Sequence, residues 1–203
     1  MRLSDVDIKR LMESGEVVVT PRPGDNYLGS VSLDLQLGSH FRVFVPGRAS
    51  GVDLMPLDGR KPTDEVADLM DDVHITANDI FYLHPGDFAL GVTLQRVKLP
   101  TNIVGRLDGR SSLARLGLMV HATAHTIDPG WDGNIVLEFF NCGRLPLGLR
   151  PGMRICALSF EELKTATSKP YVSREDAKYR QQELPLASRI GMDEACKKQS
   201  EAA

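Results

Sequence analysis

Val31-Ser32-Leu33-Asp34-Leu35-Gln36-Leu37 sets apolar against polar residues in alternation. A period of two is the signature of a β-strand with one face turned to a core. Phe41, Val43 and Val45 carry the pattern onward. Further along, residues 80–83 and 88–94 flank His84-Pro85-Gly86-Asp87, a turn sequence between two strands. Residues 118–126 and 134–140 flank a second turn, Asp128-Pro129-Gly130-Trp131-Asp132-Gly133. A third, Arg150-Pro151-Gly152, leads into a strand over residues 153–160. This many short strands with Pro-Gly punctuation predicts a mostly β fold: a sandwich, a jelly roll or a distorted barrel.

The remaining chain frames that β unit. Ser4 is placed to cap a helix over residues 5–14, with Ile8, Leu11 and Met12 on one face and Gly15 as its stop. Residues 46–72 are a polar excursion with a short helix expected at 64–71. Beyond Thr165 the apolar periodicity disappears and charged residues predominate. The expected organisation is a β-core over residues 1–165, an appended arm over 166–190 and a disordered tail over 191–203.

Composition narrows the function. With 203 residues, 42% hydrophobic and 25% charged, the chain has the profile of one soluble globular domain. No stretch approaches the roughly 18 consecutive apolar residues of a membrane span, and residues 1–5 show no signal-like apolar run. Cys142, Cys156 and Cys196 are widely spaced and odd in number, which suits a reducing cytosol and a cytoplasmic location. A formal charge of −3 argues against nucleic acid as a partner. A polyanionic ligand needs a local patch instead, and Arg106, Arg110 and Arg115 supply one.

Two segments carry chemistry. In Gly109-Arg110-Ser111-Ser112-Leu113-Ala114-Arg115, a serine starts a short helix that Gly117 ends. Free N–H groups and the positive dipole end make such a start a seat for phosphate, and the flanking arginines donate two hydrogen bonds each. The same residues would equally make a capped surface helix with ordinary arginines. In Asn134–Asn141, Val136, Glu138 and Phe140 share one strand face, while Ile135, Leu137 and Phe139 share the other. Glu138 is the one charge in an apolar run. Burial there would raise its pKa toward the range useful for proton transfer. The competing reading is a structural glutamate paired to an arginine.

His121, Thr123 and His125 share a face of the preceding predicted strand. Two histidines invite zinc, yet the H-x-E…P-C-x-x-C signature of zinc deaminases is missing, as are C-x-x-C and H-E-x-x-H. Trp131 either stacks on a ligand ring or packs against Pro129.

Gly109-Arg110-Ser111-Ser112-Leu113 is similar to the phosphate-binding motif of the dUTPase superfamily, and Thr126-Ile127-Asp128-Pro129-Gly130-Trp131 resembles its next nucleotide-binding motif. Asn134-Ile135-Val136-Leu137-Glu138-Phe139-Phe140-Asn141 and the tail from Tyr171 to Gln182 resemble the dCTP deaminase family in particular. The glycine-rich arm of a dUTPase is not found. The resemblance covers residue 1 to about residue 190.

It implies a dUTPase-like distorted β-barrel or jelly roll, and an enzyme that hydrolyses the cyclic amidine C–N bond of dCTP. The products would be dUTP and ammonia, feeding dUMP and dTTP synthesis, and no metal would be held by protein ligands. Arg110, Ser111, Ser112, Leu113, Ala114 and Arg115 would hold the triphosphate or line the reaction centre. Asp128 would bind the deoxyribose 3′-hydroxyl, with a bulky ring behind it excluding a ribose. Backbone groups of Val136, Leu137 and Glu138 would read the cytosine edge. Tyr171, Lys178 and Gln182 would close over the nucleotide from the arm. Mg²⁺ would arrive on the triphosphate. A homotrimer with interfacial sites and feedback inhibition by dTTP are implied too.

In the mechanism that follows, Glu138 relays a proton from water to N3 while the water attacks C4. Ser111 and the carbonyl near Ala124 would hold the water, and Arg115 would orient Glu138. The rival readings are a dUTP diphosphatase, a bifunctional enzyme taking dCTP to dUMP, and a catalytically silent nucleotide-binding regulator.

Overall fold

The computed structural model describes residues 1–54 and 66–192. Helix α1 (Asp5–Ser14) forms where expected. Ser4 and Asp7 cap its start reciprocally, and Gly15, at φ 76°, ends it. Ile8 and Leu11 are its buried residues.

Eleven strands follow among the described residues: β1 (Val18–Thr20), β2 (Leu33–Phe44), β3 (Met70–His74), β4 (Phe81–Leu83), β5 (Phe88–Lys98), β6 (Ile103–Gly109), β7 (Leu118–Met119), β8 (Thr126–Ile127), β9 (Asp132–Asn141), β10 (Leu147–Leu149) and β11 (Arg154–Glu162). Between β6 and β7 lies a one-turn helix, α2 (Ser111–Ala114). Nine strands make one antiparallel sheet with the central order β7-β9-β5-β2-β11-β6-β8, and β4 pairs with β10 separately.

The sheet curls because its long strands change register. β2 pairs with β11 through residues 33–36, then shifts between Leu37 and Phe41 as it continues along β5. β5 shifts between Val92 and Arg96 against β9. Such bulges bend a strand and strip it of ladder partners. Here side chains replace them: buried Gln95 accepts from the Gln36 N–H at 2.8 Å, and buried Thr93 accepts from the Ile135 N–H at 3.0 Å. The enclosed core contains Leu35, Phe41, Leu137, Phe139 and Phe160, each at most 1% exposed.

Several expectations are corrected. The alternation at 31–45 is one strand with a bulge, beginning at Leu33. The turn at 84–87 lies between two strands as expected, β4 and β5, which belong to different sheets. Only residues 66–68 of the expected 64–71 helix are helical; residues 64–65 lie outside the described part, and β3 starts at Met70. The expected strand over 118–126 is two short strands separated by a bent loop. Its backbone turns aside because the Val120 carbonyl and the Ala122 N–H both bind at Glu138, so alternation cannot run through it. β1, β3, β6 and β10 carry no alternation long enough to announce them. The expected disordered tail lies, from residue 193 on, outside the described residues.

The arm docks despite lacking a core-forming pattern. Ala177, Gln182 and Ala187 are buried, and Tyr171 and Tyr179 pack against the main core. Isolated aromatic and small residues anchor it, so no periodicity marks it in the sequence.

Candidate active site

Strand β9 positions the key carboxylate. Ile135, Leu137 and Phe139 fill the core from one face, which leaves Val136, Glu138 and Phe140 half-buried on the other. Glu138, expected to be buried within a central strand, is instead half-buried. Its carboxylate accepts the Ala122 N–H at 2.8 Å, and its own N–H donates to the Val120 carbonyl at 3.0 Å. No arginine pairs with it among the described residues, so the structural ion-pair reading lacks its partner.

Glu138 faces a cavity of about 400 Å³. Ala124, Asp128, Trp131, Val136, Tyr171 and Gln182 share its lining, with Tyr179, Thr126, Ser188 and apolar side chains completing the wall. On the edge of β9, the Asn134 N–H donates to the Gln182 carbonyl at 2.7 Å, and the Glu138 N–H is held at Val120. Strand alternation puts the N–H and C=O of Val136 on that same edge, between these two attachments. The backbone of Val136 is thus available to a flat polar ring. Leu137 is fully buried and pairs with Gly91, so its N–H and C=O turn to β5 on the opposite edge and it offers the ring no polar group.

Asp128 sits in the turn before β9 and accepts the Arg174 guanidinium at 2.8 Å. Arg174 also grips Asp176 through Nε at 3.0 Å and Nη2 at 2.9 Å. These hydrogen bonds hold the Asp176 carboxyl below the usual carboxylate range. Trp131 is buried, donates to the Gly133 carbonyl at 3.0 Å and lies 5.1 Å from the Tyr171 ring. Its rim belongs to the cavity, so it both packs and offers an aromatic wall. Burial pushes the Tyr171 phenol above its ordinary pKa, while the N–H donated by Tyr179 and the Arg174 charge oppose the rise.

The phosphate-seat residues stand apart. Ser111, Ser112, Ala114 and Arg115 are exposed on α2, and Leu113 packs toward the core. Arg110 pairs with Asp34 at 3.3 Å, a carboxylate that Arg154 also approaches at 3.4 Å. None of residues 110–115 lines the Glu138 cavity within one chain, and Arg115 does not reach Glu138. Lys178 offers its carbonyl to Arg189 and is not among the lining residues.

His121 and His125 have ring centroids 5.9 Å apart, and His125 Nε2 lies 2.7 Å from Arg106. Among the described residues, no three His, Cys, Asp or Glu side chains cluster to hold a metal ion. Sequence reading missed Arg174, Tyr179 and the Ala122 N–H. Arg174 stands in a run of charges whose partners no local rule assigns.

A curled antiparallel barrel with a carboxylate, an aspartate and paired aromatics around one cavity is a small-molecule site of enzymatic character. The family described as dCTP deaminase-like matches residues 2–163. The dCTP deaminase of Rhodospirillum rubrum is 62% identical over 195 residues, covering 96% of this chain and 100% of that protein. That of Histophilus somni is 53% identical over 198 residues, covering 95% and 100%. The crystal structure of 2′-deoxycytidine 5′-triphosphate deaminase from Agrobacterium tumefaciens superposes with a TM-score of 0.59 at 23% identity. That match covers 79% of this chain and 48% of the other, about half its length, and shows the shared fold. The chain belongs to the dCTP deaminase-like family.

Proposed function

We propose that this chain is a dCTP deaminase, converting dCTP and water to dUTP and ammonia. The observation that carries the reading is Glu138: a carboxylate fixed by the Ala122 N–H on the wall of a cavity it shares with Asp128 and Tyr171.

The chemistry follows from those neighbours. The pyrimidine edge meets the β9 backbone at Val136–Glu138, and the 3′-hydroxyl donates to Asp128. Glu138 takes a proton from water and delivers it to N3, while the water oxygen bonds to C4. The tetrahedral carbon then collapses: the C4–N4 bond breaks, the amine leaves as ammonia with a second proton relayed by Glu138, and the C4 carbonyl of dUTP forms. The Ala124 carbonyl and Ser111 hold the water. Arg115 steadies Glu138. Tyr171, Lys178 and Gln182 close over the substrate, which enters as its Mg²⁺ complex.

Because residues 110–115 do not line the cavity of their own chain, the reading includes a homotrimer. In it, Arg110, Ser111, Ser112 and Arg115 of one copy face the Glu138 cavity of the next. Feedback inhibition by dTTP and a cytoplasmic location belong to the proposal as well. No helix among the described residues is long and apolar enough to cross a membrane.

The test is incubation with dCTP and Mg²⁺ while ammonia, dUTP, dUMP and pyrophosphate are resolved. Ammonia with dUTP is expected. Ammonia with dUMP and pyrophosphate would make the enzyme bifunctional, and pyrophosphate from dUTP alone would make it a diphosphatase. Nucleotide binding without turnover would make it a regulator. Glu138→Gln keeps an acceptor for the Ala122 N–H, so fold and dCTP affinity should persist while ammonia release falls about 10²–10⁴-fold. A Glu138→Gln protein that still turns over would refute the assignment.

A further inference from the structure

We propose that Arg174 is a positioning residue for substrate selection, tying the arm to the carboxylate that receives the sugar 3′-hydroxyl. The inference rests on the reading of Asp128 given above and extends it to a residue that reading leaves unassigned.

The geometry runs in a chain. Asp128 Oδ2 is taken by Arg174 Nη1 at 2.8 Å, and among the described residues nothing donates to Oδ1, which is left as the acceptor. The other side of the guanidinium is held by both oxygens of Asp176, so its plane is fixed from behind. Arg174 carbon Cζ lies 5.5 Å from the Tyr171 ring centroid. Tyr171 in turn donates its N–H to the Pro129 carbonyl at 2.8 Å, one residue after Asp128. The two segments are therefore joined twice, once through main chain and once through the ion pair.

An ion pair of this kind, with side chains 34% and 40% exposed, contributes little to global stability. Its value is orientation. A carboxylate free to rotate meets a hydroxyl in many poses, whereas one pinned at Oδ2 presents Oδ1 in a single direction. Beside it, the main-chain bond from Tyr171 to Pro129 seats Tyr171 on the cavity wall against Trp131. Sugar recognition and arm closure thus share one guanidinium. A ligand without the 3′-hydroxyl would forfeit what this arrangement supplies, and an arm lacking Arg174 would lose the means to supply it.

The experiment compares full-length wild type, Arg174→Ala, Arg174→Lys, Asp128→Ala and the double alanine variant. Each is assayed for kcat and KM with dCTP and with 2′,3′-dideoxycytidine triphosphate, and for calorimetric affinity for both. Hydrogen exchange of residues 171–182 reports arm docking. Arg174→Ala should raise KM for dCTP about tenfold, the scale of one charge-assisted hydrogen bond in a partly exposed site. The preference for dCTP over the dideoxy analogue should collapse toward one, and exchange of the arm should quicken. Arg174→Lys should recover part of the preference. In an Asp128→Ala background, removing Arg174 should cost the preference nothing more.

A wild-type preference retained by Arg174→Ala overturns the proposal, whether or not the arm loosens, because a plain structural anchor would do that. Non-additive loss with Asp128 is required; independent losses also overturn it. If wild type released no ammonia from dCTP, the deaminase reading would fail on its own. The affinity ratio for the two nucleotides and the exchange data would still decide the role of Arg174.

Discussion

Gly133→Ala tests whether the docked arm builds the site. Gly133 lies in β9 where the arm crosses, and a Cβ there would stand 2.9 Å from the Gln182 carbonyl oxygen and 3.0 Å from its nitrogen. The third neighbour is Trp131 Cζ2 at 3.3 Å. Two of these are backbone atoms, so no side chain can swing aside, and the arm must retreat. Retreat stretches the 2.7 Å hydrogen bond from Asn134 to the Gln182 carbonyl. Losing that bond costs about 1 kcal/mol, and overpacking a tight contact costs about 1–3 kcal/mol. At about 1.4 kcal/mol per tenfold, the docked-to-free ratio of the arm should fall roughly 30-fold or more. No atom of the Leu137–Phe139 core is among the three nearest neighbours. Global melting should therefore move little, while hydrogen exchange over residues 177–187 quickens and kcat/KM for dCTP drops. Wild-type exchange in the arm together with wild-type kcat/KM would refute the argument that this crossing positions Tyr171 and Gln182.

Other outcomes follow from the same geometry. Leu137→Ala empties a fully buried site and should cost about 2–5 kcal/mol in denaturant unfolding. Gly91→Ala drives a Cβ into the Phe139 ring; denaturant titration should show about 1–3 kcal/mol of destabilisation of the core, without a selective effect on arm exchange. Tyr171, with its pKa raised by burial, holds its proton more tightly in the docked arm than in the free one. Docking should then be intact below about pH 10 and weaken as pH climbs through the raised value; Trp131 fluorescence should report this, and Tyr171→Phe should blunt it. Chelation should abolish turnover until Mg²⁺ is resupplied, and a strict need for Zn²⁺ would contradict the proposed mechanism.

What the sequence disclosed followed the range of its physical signals. The Ser4 cap and Gly15 stop are local, and α1 matches them residue for residue. The alternation around Leu33–Leu37 and Ile135–Phe139 reports which face is buried, and those residues do form the core. Alternation failed at residues 120–125 because long-range bonds to Glu138 override local period there. It failed in the arm for a different reason. Scattered anchors, among them Tyr171 against Trp131 and Gln182 against β9, dock a polar segment, and none leaves a pattern. The candidate carboxylate was legible as a lone charge in an apolar run, but its half-buried setting was not, since period alone cannot tell a core face from a cavity wall.

The division of the site between elements explains why its parts differ so much in visibility. Glu138 and Val136 sit on β9, where the packed face of Ile135, Leu137 and Phe139 leaves the strand no freedom to shift. A proton relay needs that rigidity, because an error of about an ångström in reach can cost on the order of a hundredfold in rate. Tyr171, Arg174 and Gln182 sit on the arm, which is held by a few hydrogen bonds, the ion pairs Arg174–Asp128 and Arg96–Glu183, an aromatic contact and two buried alanines. Few contacts make an element that opens at modest cost, as a segment covering a substrate must. Arg110 and Arg115 occupy a third place, flanking the outward-facing turn of α2, with Arg115 exposed and Arg110 paired to Asp34. A strongly cationic seat on an exposed helix cannot act on a nucleotide bound in its own chain's cavity, and it does not need to if a neighbouring copy presents that nucleotide. In the proposed reaction, rigid carboxylate, closing arm and outward cation seat are three demands, each met by the element whose packing suits it.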